Sequence, residues 1–127
     1  MTLTSHILDT STGRPAVAVS LTLFKQTKIG DDIFGPEEEW GPFETNQSDE
    51  DGRASMSWDR KRIEAVALGT QTEGVYRLRF YTEEHFWQEG RETFYPFVDV
   101  VFRVVYETEH YHVTLQINPF GYTTRGS

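Results

Sequence analysis

The sequence predicts an all-β fold: a two-sheet antiparallel β-sandwich with one short helix near 83–89. Three observations carry the prediction. Apolar and polar residues alternate in several short runs, the period of a half-buried strand. Clusters of turn formers, such as Thr10-Ser11-Thr12-Gly13-Arg14-Pro15 and Asp49-Glu50-Asp51-Gly52, separate those runs. One stretch alone reads as a helix. Seven or eight short strands, each with one polar side, fit two sheets packed face to face.

Thr4 to Asp9 forms a first strand and carries His6. After the first turn cluster comes the cleanest strand signal, with Val17, Val19, Leu21 and Leu23 alternating with Ala18, Ser20 and Thr22. Lys25 to Asp51 is long for a connection. It is expected to hold a strand near Trp40 to Thr45, preceded by an exposed acidic excursion that includes Glu37-Glu38-Glu39. The turn at Asp49 to Gly52 delivers Arg53 to a strand over Arg53 to Trp58. Asp59 to Gly74 reads as a polar connection without a period. Val75 to Tyr81 sets Tyr76, Leu78 and Phe80 against Arg77 and Arg79, a half-buried strand. Thr82 as N-cap, Glu83 and Glu84 in the first turn and Gly90 as stop frame the helix over Glu83 to Glu89. Phe94-Tyr95-Pro96 breaks it. Val98 to Val105 is a strand, Glu107-Thr108 the turn back, and His110 to Asn118 the next strand.

That strand is the most informative. Tyr111, Val113, Leu115 and Ile117 make a core face, whereas His110, His112, Thr114, Gln116 and Asn118 make a uniformly polar one. The two histidines stand on the polar face, roughly 7 Å apart at Cα. Residue type leaves three readings open. They are a solvated pair, or two ligands of a zinc site completed by His6, or acid–base groups in a cleft. Arg53 either balances Asp49, Glu50 and Asp51 or serves as an anion or oxyanion partner. Arg14 reads as structural or solvated, and His85 as a surface or packing residue. Phe120 and Tyr122 argue for partial docking of the tail Thr123 to Ser127.

Composition narrows the function classes. The 127 residues are expected to form a single domain, 1–127, with a real core. A net charge of −8 disfavours nucleic acid and polybasic membrane attachment as partners. No apolar run approaches 18 residues, and Met1 to His6 lacks the regions of a signal peptide. Cysteine is absent, which fits a reducing compartment. Gly-rich phosphate loops, zinc-type cysteine spacing and nucleophile elbows are absent too.

Four ordered motifs remain: Leu3-Thr4-Ser5-His6-Ile7-Leu8-Asp9-Thr10-Ser11-Thr12-Gly13-Arg14-Pro15-Ala16, then Asp51-Gly52-Arg53, then Glu109-His110-Tyr111-His112-Val113, and Arg125-Gly126-Ser127. With the spacing of Tyr76, Phe80, Phe86, Gly90, Phe94-Tyr95-Pro96 and Val98, they resemble the 5-hydroxyisourate hydrolases, transthyretin-related enzymes of urate breakdown. The resemblance covers almost the whole chain outside Lys25 to Gln47. It implies a transthyretin-like sandwich of two four-stranded sheets, assembled as a homotetramer, a dimer of dimers with active sites in a channel between dimers. It implies that His6, Arg53 and His112 are catalytic. His110, Thr124, Arg125 and Ser127 would line the substrate pocket. No metal and no cofactor are implied, and the compartment would be cytoplasmic or peroxisomal. The implied substrate is a small purine-derived lactam. His6 and His112 would orient and deprotonate water while Arg53 stabilises the oxyanion. The tail departs from the family's Tyr-Ser-Thr-Tyr-Arg-Gly-Ser: it is one residue shorter, and Thr124 stands in place of the tyrosine before Arg125. Thr114 replaces a frequent proline. The competing functions are a transthyretin-like small-ligand carrier without enzymatic activity and a zinc hydrolase using His6, His110 and His112.

Overall fold

Alternation becomes structure from the first strand onward. The computed structural model describes residues 1–28, 39–106 and 109–127. The strands are β1 (Thr2–Asp9), β2 (Arg14–Pro15), β3 (Ser20–Lys28), β4 (Glu39–Gln47), β5 (Arg53–Ser57), β6 (Gly74–Phe80), β7 (Val98–Val104), β8 (His110–Asn118) and β9 (Gly121–Gly126). Two short helices, α1 (Arg60–Ala65) and α2 (Thr82–Gln88), flank β6 in sequence. One sheet runs β2-β1-β8-β9, and β5 also pairs β1; the other runs β4-β3-β6-β7. The inner faces meet in a core built from Leu3, Ile7, Leu21, Leu23, Leu78, Phe80, Leu115 and Ile117, among others. Burying such side chains is the main term holding two sheets together.

The expected sandwich and helix are present, with differences that have local causes. The first sheet is mixed: β1 and β8 run parallel, whereas the other pairs are antiparallel. With the two-residue β2 that sheet counts five strands, not four. The strand expected from Val17 starts at Ser20. Ala18 adopts φ 57°, a bend that turns Val17 outward to 45% exposure. Ser48 holds the bend, accepting from Val19 N at 2.9 Å and donating to Ala16 O at 2.7 Å. The segment read as a polar connection contains α1. Asp59 caps it by accepting from Arg62 N at 2.9 Å, and Ile63 is its one buried side chain. Thr82 is the first helical residue of α2 and not its cap; Tyr81 takes that place without a side-chain bond. Gly90 ends the helix at φ 69°, as expected. Glu37, Glu38 and the turn at Glu107-Thr108 lie outside the described residues.

Two buried polar groups matter for stability. Asp9, at the inner end of β1, accepts from Ser11 N at 3.0 Å, from Ser11 Oγ, from His85 Nε2 at 3.1 Å and from Arg91 Nη2 at 2.6 Å. His85 is thus a packing residue, 8% exposed, that ties α2 to β1. Lys25 extends the inward face of β3 and is also 8% exposed. Among the described residues no carboxylate pairs with its amine, which lies 5.9 Å from the Tyr76 ring centroid. Burial holds its pKa below the usual lysine range, and the charge of Glu73 offsets part of that shift. A base with a lowered folded pKa makes stability rise with pH. Lys25→Met is therefore expected to raise the thermal midpoint at neutral pH by a few degrees, corresponding to about 1 kcal/mol. A melt of the variant below wild type would show that the amine has a favourable partner.

Candidate active site

The turn at Asp49 to Gly52 builds one wall. Asp49 Oδ1 accepts from Asp51 N and Arg53 N, both at 2.9 Å. Gly52 sits at φ 74°, and a Cβ there would come within 2.4 Å of Ile7 O. Only glycine lets the turn approach β1 this closely. The approach is sealed by Ile7 N donating to Gly52 O at 2.7 Å, and it sets Arg53 directly opposite His6.

Register carries the rest across the sheet. Paired residues present their side chains to the same face. One row reads Arg53, His6, Thr114, Arg125 from β5 to β9. The next reads Ser55, Thr4, His112, and the third Ser57, Thr2, His110. His6 and His112 are therefore one diagonal step apart on neighbouring strands. β9 places Ser127 beside His112, with backbone bonds in both directions at 2.8 and 2.9 Å. Thr124 goes elsewhere. It pairs with Leu115, on the opposite face, and its hydroxyl donates to Thr114 O at 2.9 Å. The structure thus brings His6, Arg53, His110, His112 and Arg125 to one face, with Ser127 at its margin, and turns Thr124 away.

Two threonines that residue type did not single out complete the face. Thr4 Oγ1 lies 2.6 Å from His112 Nδ1 and 3.0 Å from His110 Nε2. Thr2 Oγ1 lies 2.7 Å from His110 Nδ1. The period-2 spacing of Thr2, Thr4 and His6 was a usable signal; the parallel register that aligns them with the histidines was not.

Electrostatics distinguish His112. Burial, then the charges of His110, His6 and Arg53, hold its pKa below the ordinary imidazole value. The imidazole is therefore neutral at pH 7 and able to accept a proton. A guanidinium across one strand can stabilise an oxygen anion formed nearby. The zinc reading is not favoured by position. Among the described residues, the trio that brings ligand atoms within 4.8 Å of one another is Asp9, His85 and Glu89. There the Arg91 guanidinium already bonds both carboxylates. Among the described residues no helix is long and apolar enough to cross a membrane.

Residues 3–126 match the HIUase/Transthyretin family. A mouse 5-hydroxyisourate hydrolase is 36% identical over 126 residues, covering 98% of this chain and 94% of that protein. A probable 5-hydroxyisourate hydrolase of Schizosaccharomyces pombe is also 36% identical, covering 98% and 90%. The solved structure of Klebsiella pneumoniae 5-hydroxyisourate hydrolase superposes with a TM-score of 0.72 at 25% identity, covering 100% and 99%. Transthyretin from Sparus aurata superposes with a TM-score of 0.75 at 27% identity, covering 98% and 95%. Similarity along nearly the full length, over the strands that carry the histidines, gives the placement: the chain belongs to the HIUase/Transthyretin family.

Proposed function

We propose that the chain is a hydrolase of 5-hydroxyisourate, using its own side chains and no metal or cofactor. The observation that carries this reading is the convergence of His6, Arg53 and His112 on one outer sheet face. His112, neutral at working pH, takes a proton from water. The resulting hydroxide attacks the lactam carbonyl carbon. Arg53 stabilises the oxygen that becomes negative, and collapse breaks the ring C–N bond with a proton passing to nitrogen. His6, opposite Arg53, orients the water. Arg125 and Ser127 border the same face and hold the substrate with His110. Thr124 ties β9 to β8.

A single chain leaves this face open to solvent. We take it to be covered by another copy, in a homotetramer built as a dimer of dimers around one transthyretin-like domain, 1–127. Among the described residues β7 and β9 each pair along one edge only, and with the exposed side chains of Val101, Phe120 and Tyr122 this supports self-association. The reaction suits the cytoplasm or peroxisome. A small-ligand carrier is the second reading, since a sea bream transthyretin structure holds thyroxine and superposes with a TM-score of 0.71. The charged, imidazole-lined face counts against it.

The deciding assay generates 5-hydroxyisourate from urate with urate oxidase and follows its decay with purified protein. Acceleration over the spontaneous rate is expected; its absence would remove the hydrolase reading. The pH profile follows from His112. Its folded pKa is below 6.5, so proton acceptance persists below that pH and is lost as pH falls through the lowered value. The acid limb of kcat/KM is therefore expected below pH 6.5. A limb above 6.5 would assign the base to another group.

A further inference from the structure

The hydroxyl of Thr4 has one proton and two imidazole neighbours, at 2.6 Å on His112 Nδ1 and 3.0 Å on His110 Nε2. It can donate to one and must then accept from the other. The contact of Thr2 with His110 Nδ1 at 2.7 Å extends the chain by one link. With neutral rings, two arrangements satisfy every contact. In the first, His112 Nδ1–H donates to Thr4, Thr4 donates to His110 Nε2, and His110 Nδ1–H donates to Thr2. His112 Nε2 then carries a free lone pair. In the second, each donor and acceptor is exchanged, and His112 Nε2 carries the proton.

We propose that Thr4 is a positioning residue for His112, locking its tautomer to that of His110 and passing its Nδ1 proton outward through His110 to Thr2 and solvent. The inference rests on the hydrolase reading and deepens it. The step balances. As a proton from water enters at His112 Nε2, the Nδ1 proton moves to Thr4, the Thr4 proton to His110 Nε2, and the His110 Nδ1 proton to Thr2. The Thr2 hydroxyl proton leaves to water at the outer end of the chain of contacts, Thr2 and His110 being its exposed members in the single chain. As that Nε2 proton passes to the leaving nitrogen the relay runs in reverse: water returns a proton to Thr2, Thr2 to His110 Nδ1, His110 Nε2 to Thr4 and Thr4 to His112 Nδ1, so the ring ends neutral without ever holding two protons. That matters on this face. Arg53 from β5 and Arg125 from β9 set permanent positive charge on the face that His112 shares with the His6 and His110 rings, so an imidazolium there is disfavoured.

The test compares Thr4→Val, which keeps shape and removes the hydroxyl, with Thr4→Ser, which keeps the hydroxyl. Thr4→Val is expected to lower kcat about 10- to 100-fold with KM within about threefold. Thr4→Ser is expected to stay within about threefold of wild type. Nitrogen-15 NMR of the histidine rings supplies a readout independent of turnover. In wild type His112 and His110 are expected to carry the same neutral tautomer, and in Thr4→Val that match is expected to be lost. Thr4→Val with wild-type kcat, or Thr4→Ser as damaged as Thr4→Val, would overturn the relay while leaving the hydrolase reading intact. Should wild type itself lack activity, the hydrolase reading fails separately. An unchanged tautomer population in Thr4→Val would then still refute the positioning role.

Discussion

His112→Ala is expected to lower kcat/KM for 5-hydroxyisourate opening by about 10² to 10⁴, with the thermal midpoint close to wild type. The side chain stands on the outer face of β8, while Val113 and Leu115 carry the packing inward. Truncation therefore removes a proton acceptor and little buried area. Burial, with the charges of His110, His6 and Arg53, holds the His112 pKa below the ordinary imidazole value. Loss of the general base leaves the guanidinium of Arg53 to polarise the substrate without activating water. Arg53→Gln is expected to fall in the same direction, because one oxyanion donor is typically worth about 10² to 10³. Turnover of His112→Ala within threefold of wild type, in a folded protein, would show that another group takes the proton.

The largest expected loss of stability comes from Asp9→Ala. Burial alone would raise the Asp9 carboxyl pKa. The hydrogen bonds from Ser11, His85 and Arg91 outweigh it and hold the value at about 2, against an ordinary 3.8. A depressed carboxylate pKa gives stability that is present above the unfolded value and lost as pH falls through the folded one. Its size here is about 2 kcal/mol, expected to disappear between roughly pH 4 and 2. Removing the carboxylate does more than remove that term. It takes the buried acceptor from the His85 ring and the Arg91 guanidinium, leaving both to the more exposed Glu89 and Arg91 also to Ser11. Breaking one side of such a group costs about 3–5 kcal/mol, which lowers the midpoint of a chain this size by more than about 10 °C. Calorimetry at pH 7 checks the first number, and an acid titration of the melt checks the second. A midpoint within 2 °C of wild type would mean that solvent replaces the carboxylate freely.

What could be read in advance was what depends on neighbours along the chain. Alternation placed the core faces of β6 and β8, and it separated the two histidines from Val113 and Leu115. The Asp49–Gly52 turn was legible because Asp and Gly carry its bonds and its φ. α1 was not, since six residues with one buried side chain, Ile63, give no period. Ala18 adopts a bend that alanine does not advertise. The site was half legible. Periodicity supplied its polar face, and family resemblance supplied the choice of His6, Arg53 and His112. The registry of β1 on β8 depends on residues 108 apart, and it alone revealed Thr2 and Thr4 as partners of the histidines. The same holds for Asp9, whose partners His85 and Arg91 follow it by 76 and 82 positions.

The parallel pairing of β1 with β8 also has a consequence during synthesis. β5 can cover one edge of β1 early, but the other edge lacks its mate until β8 has been translated. A strand carrying Leu3 and Ile7 therefore waits, half clothed, while the last strands are still in the ribosomal tunnel. Cellular yield of this chain will accordingly follow the chaperones that shield nascent strands awaiting a distant partner, more than the stability of the finished sandwich.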